Sequence, residues 1–326
     1  MITGEAMTTA RHTQLEKVNL ALEGGGARGF VYVGVLLELA ERGIEIASIV
    51  GTSIGALVGV VYAFHRSESY GDLPIKELQM RAAGAVEQLC LPSDFSKFRD
   101  INWAPFGWLR KGALKGDKLE EWLQEHLWSE RLNRPVSFGD LAFDLTLTAT
   151  DADTGDALIL NTDRDPHVPI HRAVRASSSI QGLFKDITIN VSGRAVRCWD
   201  GGTTGNCRFD IALKRDPVLP TIACTLTRVS DPMPPGASIL ASTKRPLRIL
   251  VRTSEILMRQ IEKITYELLP KEQQDRVIWV NPGFEGVGIL DFSLSAEKKR
   301  ALIESGASAV RESLQRLRAD SSQSLP

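Results

Sequence analysis

The feature that most constrains this chain is a stretch without charged residues, 46–64. It holds two apolar runs, and between them lies Gly51-Thr52-Ser53-Ile54-Gly55, here called the serine turn. The central residue of a sharp strand-to-helix turn adopts a sparsely populated backbone conformation, and its neighbours must lack bulk. Gly51 and Gly55, two positions before and after Ser53, meet that need. The pattern therefore predicts a buried strand, a turn that presents the Ser53 hydroxyl, and a buried helix.

Two other interpretations of this stretch stay open at this point. A charge-free run of this length is about what a membrane-spanning helix needs. Gly51, Gly55 and Gly59 would then form a small-residue stripe of the kind that packs helices together in lipid. Alternatively, the stretch is an ordinary buried strand and helix of a soluble α/β core, in which Ser53 does no chemistry.

Composition narrows the class of protein. The chain has 326 residues, 43% hydrophobic and 24% charged, which is enough material for a large globular core. A formal net charge of -1 gives no global attraction to nucleic acid, so we expect no nucleic-acid partner. The four cysteines lack C-x-x-C spacing and close histidines, so we expect no metal. Residues 1–14 lack the apolar segment of a secretory signal, and we expect a cytoplasmic protein without a transmembrane segment.

The order of apolar and glycine-rich segments predicts the fold class. An apolar run at 18–22 precedes Glu23 and the segment Gly24-Gly25-Gly26-Ala27-Arg28-Gly29, here called the glycine loop. Apolar residues at helical spacing follow, and the run at 46–50 supplies the next strand. This βαβα order implies a parallel sheet. We expect a single α/β domain over residues 1–326, with a core at about 16–318, polar tails and a mostly parallel central sheet between layers of helices.

The glycine loop also permits a nucleotide-binding interpretation. Gly24, Gly26 and Gly29 match G-x-G-x-x-G, and Glu45 lies at a tolerable distance to hold a ribose. This interpretation leaves the serine turn unexplained, so we expect no cofactor.

A catalytic serine needs a base and donors for an oxyanion. None of the five histidines lies in a recognisable catalytic turn, and none follows His171, so the Ser-Asp-His order of α/β-hydrolases does not fit. Asp200 ends a predicted strand, and Gly201 and Gly202 after it carry no side chains to block a close approach. A partly desolvated aspartate gains basicity and can take a serine proton. Asp200 is therefore our candidate base, although a plain turn aspartate beside two glycines is common.

The glycine loop can supply the oxyanion donors. Gly24, Gly25 and Gly26 offer consecutive backbone N–H groups at the start of a predicted helix, where the helix dipole favours negative charge. Arg28 suits either of two roles, anchoring the loop or meeting an anionic headgroup.

These motifs together resemble those of a known family. The glycine loop, the serine turn and Asp200-Gly201-Gly202, in this order, resemble the three signatures of patatin-like phospholipases. Residues 175–184 (RASSSIQGLF) look like the family's segment before the aspartate strand. The resemblance is clear over residues 18–202 and looser beyond. Family members often continue to an Asn-Pro pair, whereas here Asn206 is followed by Cys207.

The resemblance implies a Ser53–Asp200 dyad, an oxyanion hole from Gly24, Gly25 and Gly26 with Arg28, and no metal at the dyad. It also implies hydrolysis of acyl esters in phospholipids or related lipids. A protein that binds lipid without catalysis, or that is anchored through residues 46–64, is the alternative. Trp103, Phe106 and Trp108 lie near Arg110 and Lys111, a composition that suits transient contact with a membrane surface. The competing interpretation is that these rings cap the core.

Overall fold

The computed structural model describes residues 15–68, 73–98, 100, 114–226, 245–284, 286–289 and 291–323. The helices are α1 Phe30–Glu41, α2 Ile54–Ser67, α3 Ile75–Cys90, α4 Asp117–His126, α5 Ile170–Ser177, α6 Phe209–Arg215, α7 Arg245–Glu267, α8 Lys271–Gln274 and α9 Ala296–Gln323. The strands are β1 Lys17–Leu22, β2 Glu45–Thr52, β3 Trp128–Ser129, β4 Arg134–Pro135, β5 Asp144–Asp151, β6 Ala157–Asn161, β7 Ile187–Val191, β8 Arg194–Asp200, β9 Thr221–Cys224 and β10 Val277–Val280.

A mixed sheet with a parallel centre organises the chain. The order is β10-β9-β1-β2-β5-β8-β7, and β6 also pairs with β5. Strands β10, β9, β1, β2 and β5 run parallel, whereas β6, β7 and β8 are antiparallel to their neighbours. One large core packs α1, α2, α3 and α9 against the sheet, and a smaller cluster includes α6. The predicted α/β fold with a mostly parallel sheet between helices is confirmed.

Parallel pairing of β1 and β2 places the loops that follow them side by side. In the register, Leu22 at the end of β1 lies opposite Gly51 near the end of β2. The carboxyl ends of neighbouring parallel strands meet at one edge of a sheet. The glycine loop follows β1 and the serine turn follows β2, so the two motifs are neighbours because of this register.

The two strands β2 and β8 meet end to end along one edge of β5. β2 pairs with the first part of β5 as far as Thr52 opposite Thr148, and β8 pairs from Asp200 opposite Ala149 onward. β6 pairs with β5 over residues that both of these strands also use, so it must occupy the other edge. Ser53 comes directly after Thr52, and the register therefore brings Ser53 and Asp200 together.

The charge-free stretch forms part of the core and is not one continuous helix. Residues 46–64 fall into β2 and α2, which are separated by Ser53. A Cβ on Gly55 would lie 2.4 Å from Leu22 O, and one on Gly59 would lie 2.9 Å from Ile49 Cγ2. Close packing of α2 on the sheet thus accounts for these glycines. Within the described ranges, no helix combines the length and the apolar character needed to cross a membrane.

The crossing of α1 and α9 depends on two glycines. A Cβ on Gly34 would lie 1.8 Å from Ile303 O, and one on Gly306 would lie 1.9 Å from Val31 O.

We expect Gly34→Ala to lower the free energy of unfolding by about 1–3 kcal/mol or more, because the helices must separate. Gly84→Ala in α3, where a Cβ meets nothing within 4 Å, should instead raise it by about 0.5–1 kcal/mol. Urea denaturation measures both, and equal stability of the two variants would contradict this account of the crossing.

Candidate active site

The serine turn holds Ser53 in a strained conformation. Ser53 has φ 53° and ψ −117°, and α2 begins at the next residue. A non-glycine residue in a sparsely populated region of this kind costs about 1–3 kcal/mol, so its surroundings must enforce it. The Ser53 N–H donates to Ser177 Oγ at 2.8 Å, and that hydroxyl donates to Thr148 O at 2.7 Å. A Cβ on Gly51 would lie 2.6 Å from Gly55 O, which accounts for the glycines of the predicted turn.

Asp200 is buried at the end of β8 and is held through its backbone. Its N–H donates to Ser179 O at 2.9 Å, and Thr150 Oγ1 donates to its carbonyl at 2.9 Å. On the side chain, Oδ1 accepts from the Gly202 N–H at 2.8 Å. The other oxygen, Oδ2, is buried without a partner at hydrogen-bonding distance among the described residues. Because a buried polar atom without a partner is costly, Oδ2 is a natural acceptor for a proton.

The surroundings of Asp200 make its carboxylate unusually basic. Burial raises the pKa of Asp200 from 3.8 to about 6, although the Gly202 N–H and the Ser53 hydroxyl both lower it. The influence of the Ser53 hydroxyl on this pKa places the two side chains next to each other. At neutral pH the carboxylate is therefore ionised, next to Ser53, and a stronger base than an exposed aspartate.

Gly201 and Gly202 let the backbone after Asp200 lie against β5. A Cβ on Gly201 would lie 2.2 Å from Thr148 O. A Cβ on Gly202 would lie 2.8 Å from Asn206 Oδ1 and 3.0 Å from Asp200 Oδ1. A side chain at Gly201 would therefore clash with the backbone of β5, and one at Gly202 would crowd the Asn206 and Asp200 side chains.

The glycine loop lies directly beside Ser53. A Cβ on Gly24 would lie 3.1 Å from Ser53 Cβ, and one on Gly26, which has φ +54°, would lie 2.1 Å from Ile289 O. The Gly24 N–H donates to Asn206 O at 3.2 Å. In contrast, the Gly25 and Gly26 N–H groups find no acceptor among the described residues. Of the three amides singled out in the sequence, these two are the ones available to an oxyanion.

Arg28 makes contacts that anchor the glycine loop. Its Nε donates to Val287 O at 2.9 Å, and its guanidinium lies 4.0 Å from the centroid of the Phe284 ring. The next amide along the loop, Ala27 N–H, donates to Ile289 O at 2.8 Å. These contacts match the anchoring role considered for Arg28.

Several residues that support the site went unrecognised in the sequence. Arg175 is buried in α5 and donates from Nη1 to Ser179 Oγ at 2.7 Å and from Nη2 to Lys185 O at 2.8 Å. It thereby braces the segment whose Ser177 and Ser179 contact Ser53 and Asp200. The serine run 177–179 carries no catalytic pattern of its own in the sequence. Its resemblance to the family segment before the aspartate strand was the one available signal.

An apolar channel opens beside Ser53. The volume that the centre of a water-sized sphere can occupy in it is about 70 Å³, within about 770 Å³ of empty space that includes open solvent. Side chains from the start of α1, from α2, from the end of α3 and from two nearby loops line it, among them Phe30, Leu57, Val58, Cys90, Phe95 and Phe184. Trp103, Phe106 and Trp108, singled out for membrane contact, lie outside the described residues.

The geometry does not suit the nucleotide-binding interpretation. Glu45 begins β2, where it forms an ion pair with Lys17 at 2.9 Å. The glycine loop follows the other end of the parallel neighbour β1. Glu45 therefore lies at the opposite end of the strands from the loop that it would have to assist.

Comparison with known proteins identifies the family. The profile described as Patatin-like phospholipase matches residues 20–213, which is more than half of the chain. The chain belongs to the patatin-like phospholipase family. It is 27% identical over 295 residues to YqhO of Bacillus subtilis strain 168, covering 87% of this chain and 93% of that protein.

Two further relatives and one solved structure are also similar to the chain. The NTE family protein Rv1063c of Mycobacterium tuberculosis strain H37Rv is 30% identical over 197 residues, covering 60% of this chain and 46% of its own length. Lysophospholipase nte1 of Neurospora crassa is 38% identical over 86 residues, covering 26% of this chain and 5% of that protein. The crystal structure of VipD from Legionella pneumophila matches with a TM-score of 0.49 and 15% identity, covering 92% of this chain and 67% of that one.

The raised pKa of Asp200 predicts a pH-dependent effect on stability. A carboxyl whose pKa is higher in the folded than in the unfolded state stabilises the fold at low pH, and this contribution is lost as pH rises through about 6. Asp200→Asn removes that titration. Between pH 4 and pH 7 the variant should therefore gain up to about 3 kcal/mol in unfolding free energy relative to wild type, since one pKa unit is worth about 1.4 kcal/mol.

Urea denaturation at several pH values measures this difference. Asp156→Asn, in the exposed turn between β5 and β6, is the matched control and should show no such gain. A difference between Asp200→Asn and wild type that stays constant with pH would contradict the assignment.

Proposed function

We propose that this protein is a serine acyl hydrolase that cleaves ester-linked fatty acyl chains of phospholipids or related lipids through Ser53 and Asp200. The observation that carries the proposal is the meeting of a strained Ser53 with a buried carboxylate whose Oδ2 lacks a hydrogen-bond partner among the described residues. Membership of the patatin-like phospholipase family supports lipid acyl hydrolysis as the reaction class. The name of the Neurospora relative, a lysophospholipase, is consistent with it.

The proposed first half-reaction transfers the acyl group to the enzyme. Asp200 Oδ2 accepts the Ser53 hydroxyl proton as Oγ attacks the ester carbonyl. The Gly25 and Gly26 amides donate to the oxyanion that forms. The carbon–oxygen bond to the alcohol then breaks, and the alcohol leaves with the proton that Asp200 holds. This step leaves Ser53 acylated and Asp200 ionised.

The second half-reaction restores the enzyme. A water molecule gives a proton to Asp200 and attacks the acyl carbonyl, and the same amides hold the second oxyanion. Collapse releases the fatty acid, and Ser53 recovers its proton from Asp200. A pKa of about 6 suits both steps, because the carboxylate is ionised at neutral pH and still basic enough to accept a proton.

The apolar channel is the proposed place for the acyl chain. Ser53 lines one part of it and Cys90, at the end of α3, lines another. Each buried methylene contributes about 0.8 kcal/mol, so the usable length of the channel sets the preferred chain length.

Two substitutions test the dyad. Ser53→Ala removes the nucleophile and Asp200→Asn removes the base, so each should reduce hydrolysis of p-nitrophenyl butyrate by about 10³-fold or more. Ser308→Ala on α9 and Asp156→Asn are matched controls and should retain wild-type rates. Circular dichroism checks the fold of all four variants. Wild-type rates in Ser53→Ala would overturn the proposal.

A third substitution tests the channel. Cys90→Phe adds bulk to its wall, so it should reduce kcat/KM for p-nitrophenyl palmitate at least tenfold while leaving the butyrate ester within about threefold. Cys90→Ser keeps the size of the side chain and should preserve the chain-length profile. If Cys90→Phe and wild type have the same profile from C4 to C16 esters, the acyl chain lies elsewhere.

A further inference from the structure

A buried carboxylate lies at the base of the glycine loop. Glu23 comes between β1 and Gly24, is only 4% exposed, and was not singled out as a functional residue. Its Oε1 accepts from Asn206 Nδ2 at 2.7 Å, and its Oε2 accepts from the Leu226 N–H. One carboxylate therefore joins three segments that are far apart in the sequence.

Both donors to Glu23 also contact the glycine loop. Asn206 Nδ2 donates to Gly24 O at 3.0 Å, and Gly24 N–H donates back to Asn206 O at 3.2 Å. The Leu226 side chain packs so closely on Gly25 that a Cβ there would lie 2.0 Å from Leu226 Cδ1. The partners of Glu23 thus hold the loop from two sides.

We propose that Glu23 is a positioning residue whose ionised carboxylate, through Asn206 and Leu226, sets the Gly25 and Gly26 amides for the oxyanion, and whose protonation releases them. The inference rests on the proposed hydrolase function. An ionised carboxylate offers two strong acceptor oxygens to N–H groups, whereas protonation turns one of them into a donor and a weaker acceptor. A protonated acid or an amide places a hydrogen opposite one of the two donors and loses that bond.

The groups around Glu23 determine which carboxyl changes charge. The charged or titratable groups that face Glu23 are Arg28 in the glycine loop, Tyr32 in α1, Cys207 directly after Asn206, Cys224 in β9, and Arg259 and Glu262 in α7. Burial raises the pKa values of the Tyr32 phenol and of both thiols, so these groups are neutral near pH 7. The two arginines favour the ionised form of Glu23.

Glu262 is the second buried carboxyl of this cluster. Its Oε1 accepts from the Cys207 N–H at 2.8 Å, directly after Asn206. Burial and the charge of Glu23 raise the pKa of Glu262 well above its ordinary value. Burial also raises the pKa of Glu23. The rise stops at about 7 because the Leu226 and Asn206 donors and the two arginines oppose it. Because Glu23 accepts two N–H bonds and Glu262 accepts one, Glu23 is the member of the coupled pair that ionises more readily, and Glu262 keeps the proton that the pair retains.

Two separate acid limbs should follow in the pH dependence of kcat. Lowering the pH through about 7 protonates Glu23 and disturbs the loop, and lowering it through about 6 protonates the base Asp200. Asp200 is not among the groups that shift the pKa of Glu23, so substitution of Glu23 should remove one titration and leave the other in place.

The test is Glu23→Gln, with kcat and KM for p-nitrophenyl butyrate measured from pH 5 to pH 9. We expect kcat at pH 8 to fall at least tenfold, KM to change less than twofold, and the limb near 7 to disappear while the limb near 6 stays. Glu262→Gln is the matched control and should keep both limbs, because that carboxyl is already protonated. Wild-type kcat in Glu23→Gln, or a limb near 7 that persists in it, would overturn the inference.

A second variant and a second readout cover the remaining outcomes. If Glu23→Gln does not fold, Asn206→Ala cuts the link and leaves Glu23 in place. Its kcat should also fall at least tenfold, and a wild-type kcat would count against the proposal. If wild type hydrolyses no ester, the proposed function fails. Amide exchange of the peptide over residues 23–29 then decides the inference: lower protection factors at pH 6 than at pH 8 support it, and equal factors oppose it.

Discussion

The edge of β5 is the constraint on which the candidate site depends. A β-strand offers each edge to one partner at a time, and here one edge is divided between β2 and β8. The division falls between Thr148 and Ala149, so the strand that ends in the serine turn and the strand that ends in Asp200 meet there. The Thr148 carbonyl also accepts from Ser177, which in turn accepts from Ser53. The nucleophile and the base are thus positioned by backbone pairing, the most rigid part of the fold.

The site and its surroundings contain three buried carboxyl groups. Asp200, Glu23 and Glu262 are all buried, and burial is the largest cause of the raised pKa in each case. Each pKa unit corresponds to about 1.4 kcal/mol of preference for the neutral form, so ionised carboxylates here reduce stability. The large apolar core around β1, α1 and α2 offsets that cost. Basicity at the site therefore depends on stability supplied elsewhere in the fold.

The sequence predicted the parts of the site that local chemistry determines. The serine turn and the glycine loop are recognisable because the backbone itself needs glycine at fixed positions, and Asp200 is recognisable because it ends a predicted strand directly before two glycines. Contacts between distant residues leave no such trace. Ser177 is 124 positions from Ser53, and Asn206 is 183 positions from Glu23. The antiparallel pairing of β8 with β5, next to the end of β2, also depends on tertiary contacts, which a single sequence does not encode as a local pattern.

The glycine loop shows why the difference between local pattern and tertiary contact matters for function. As sequence, Gly24, Gly25 and Gly26 are equivalent donors. In the fold they are not, because Asn206 takes the Gly24 amide and leaves the next two without acceptors among the described residues. The same asparagine stands where family members often begin an Asn-Pro pair, and here Cys207 follows it, with an N–H that donates to Glu262. A proline at that position has no N–H to donate. The departure from the family pattern therefore couples a second buried carboxyl to the residue that holds the loop.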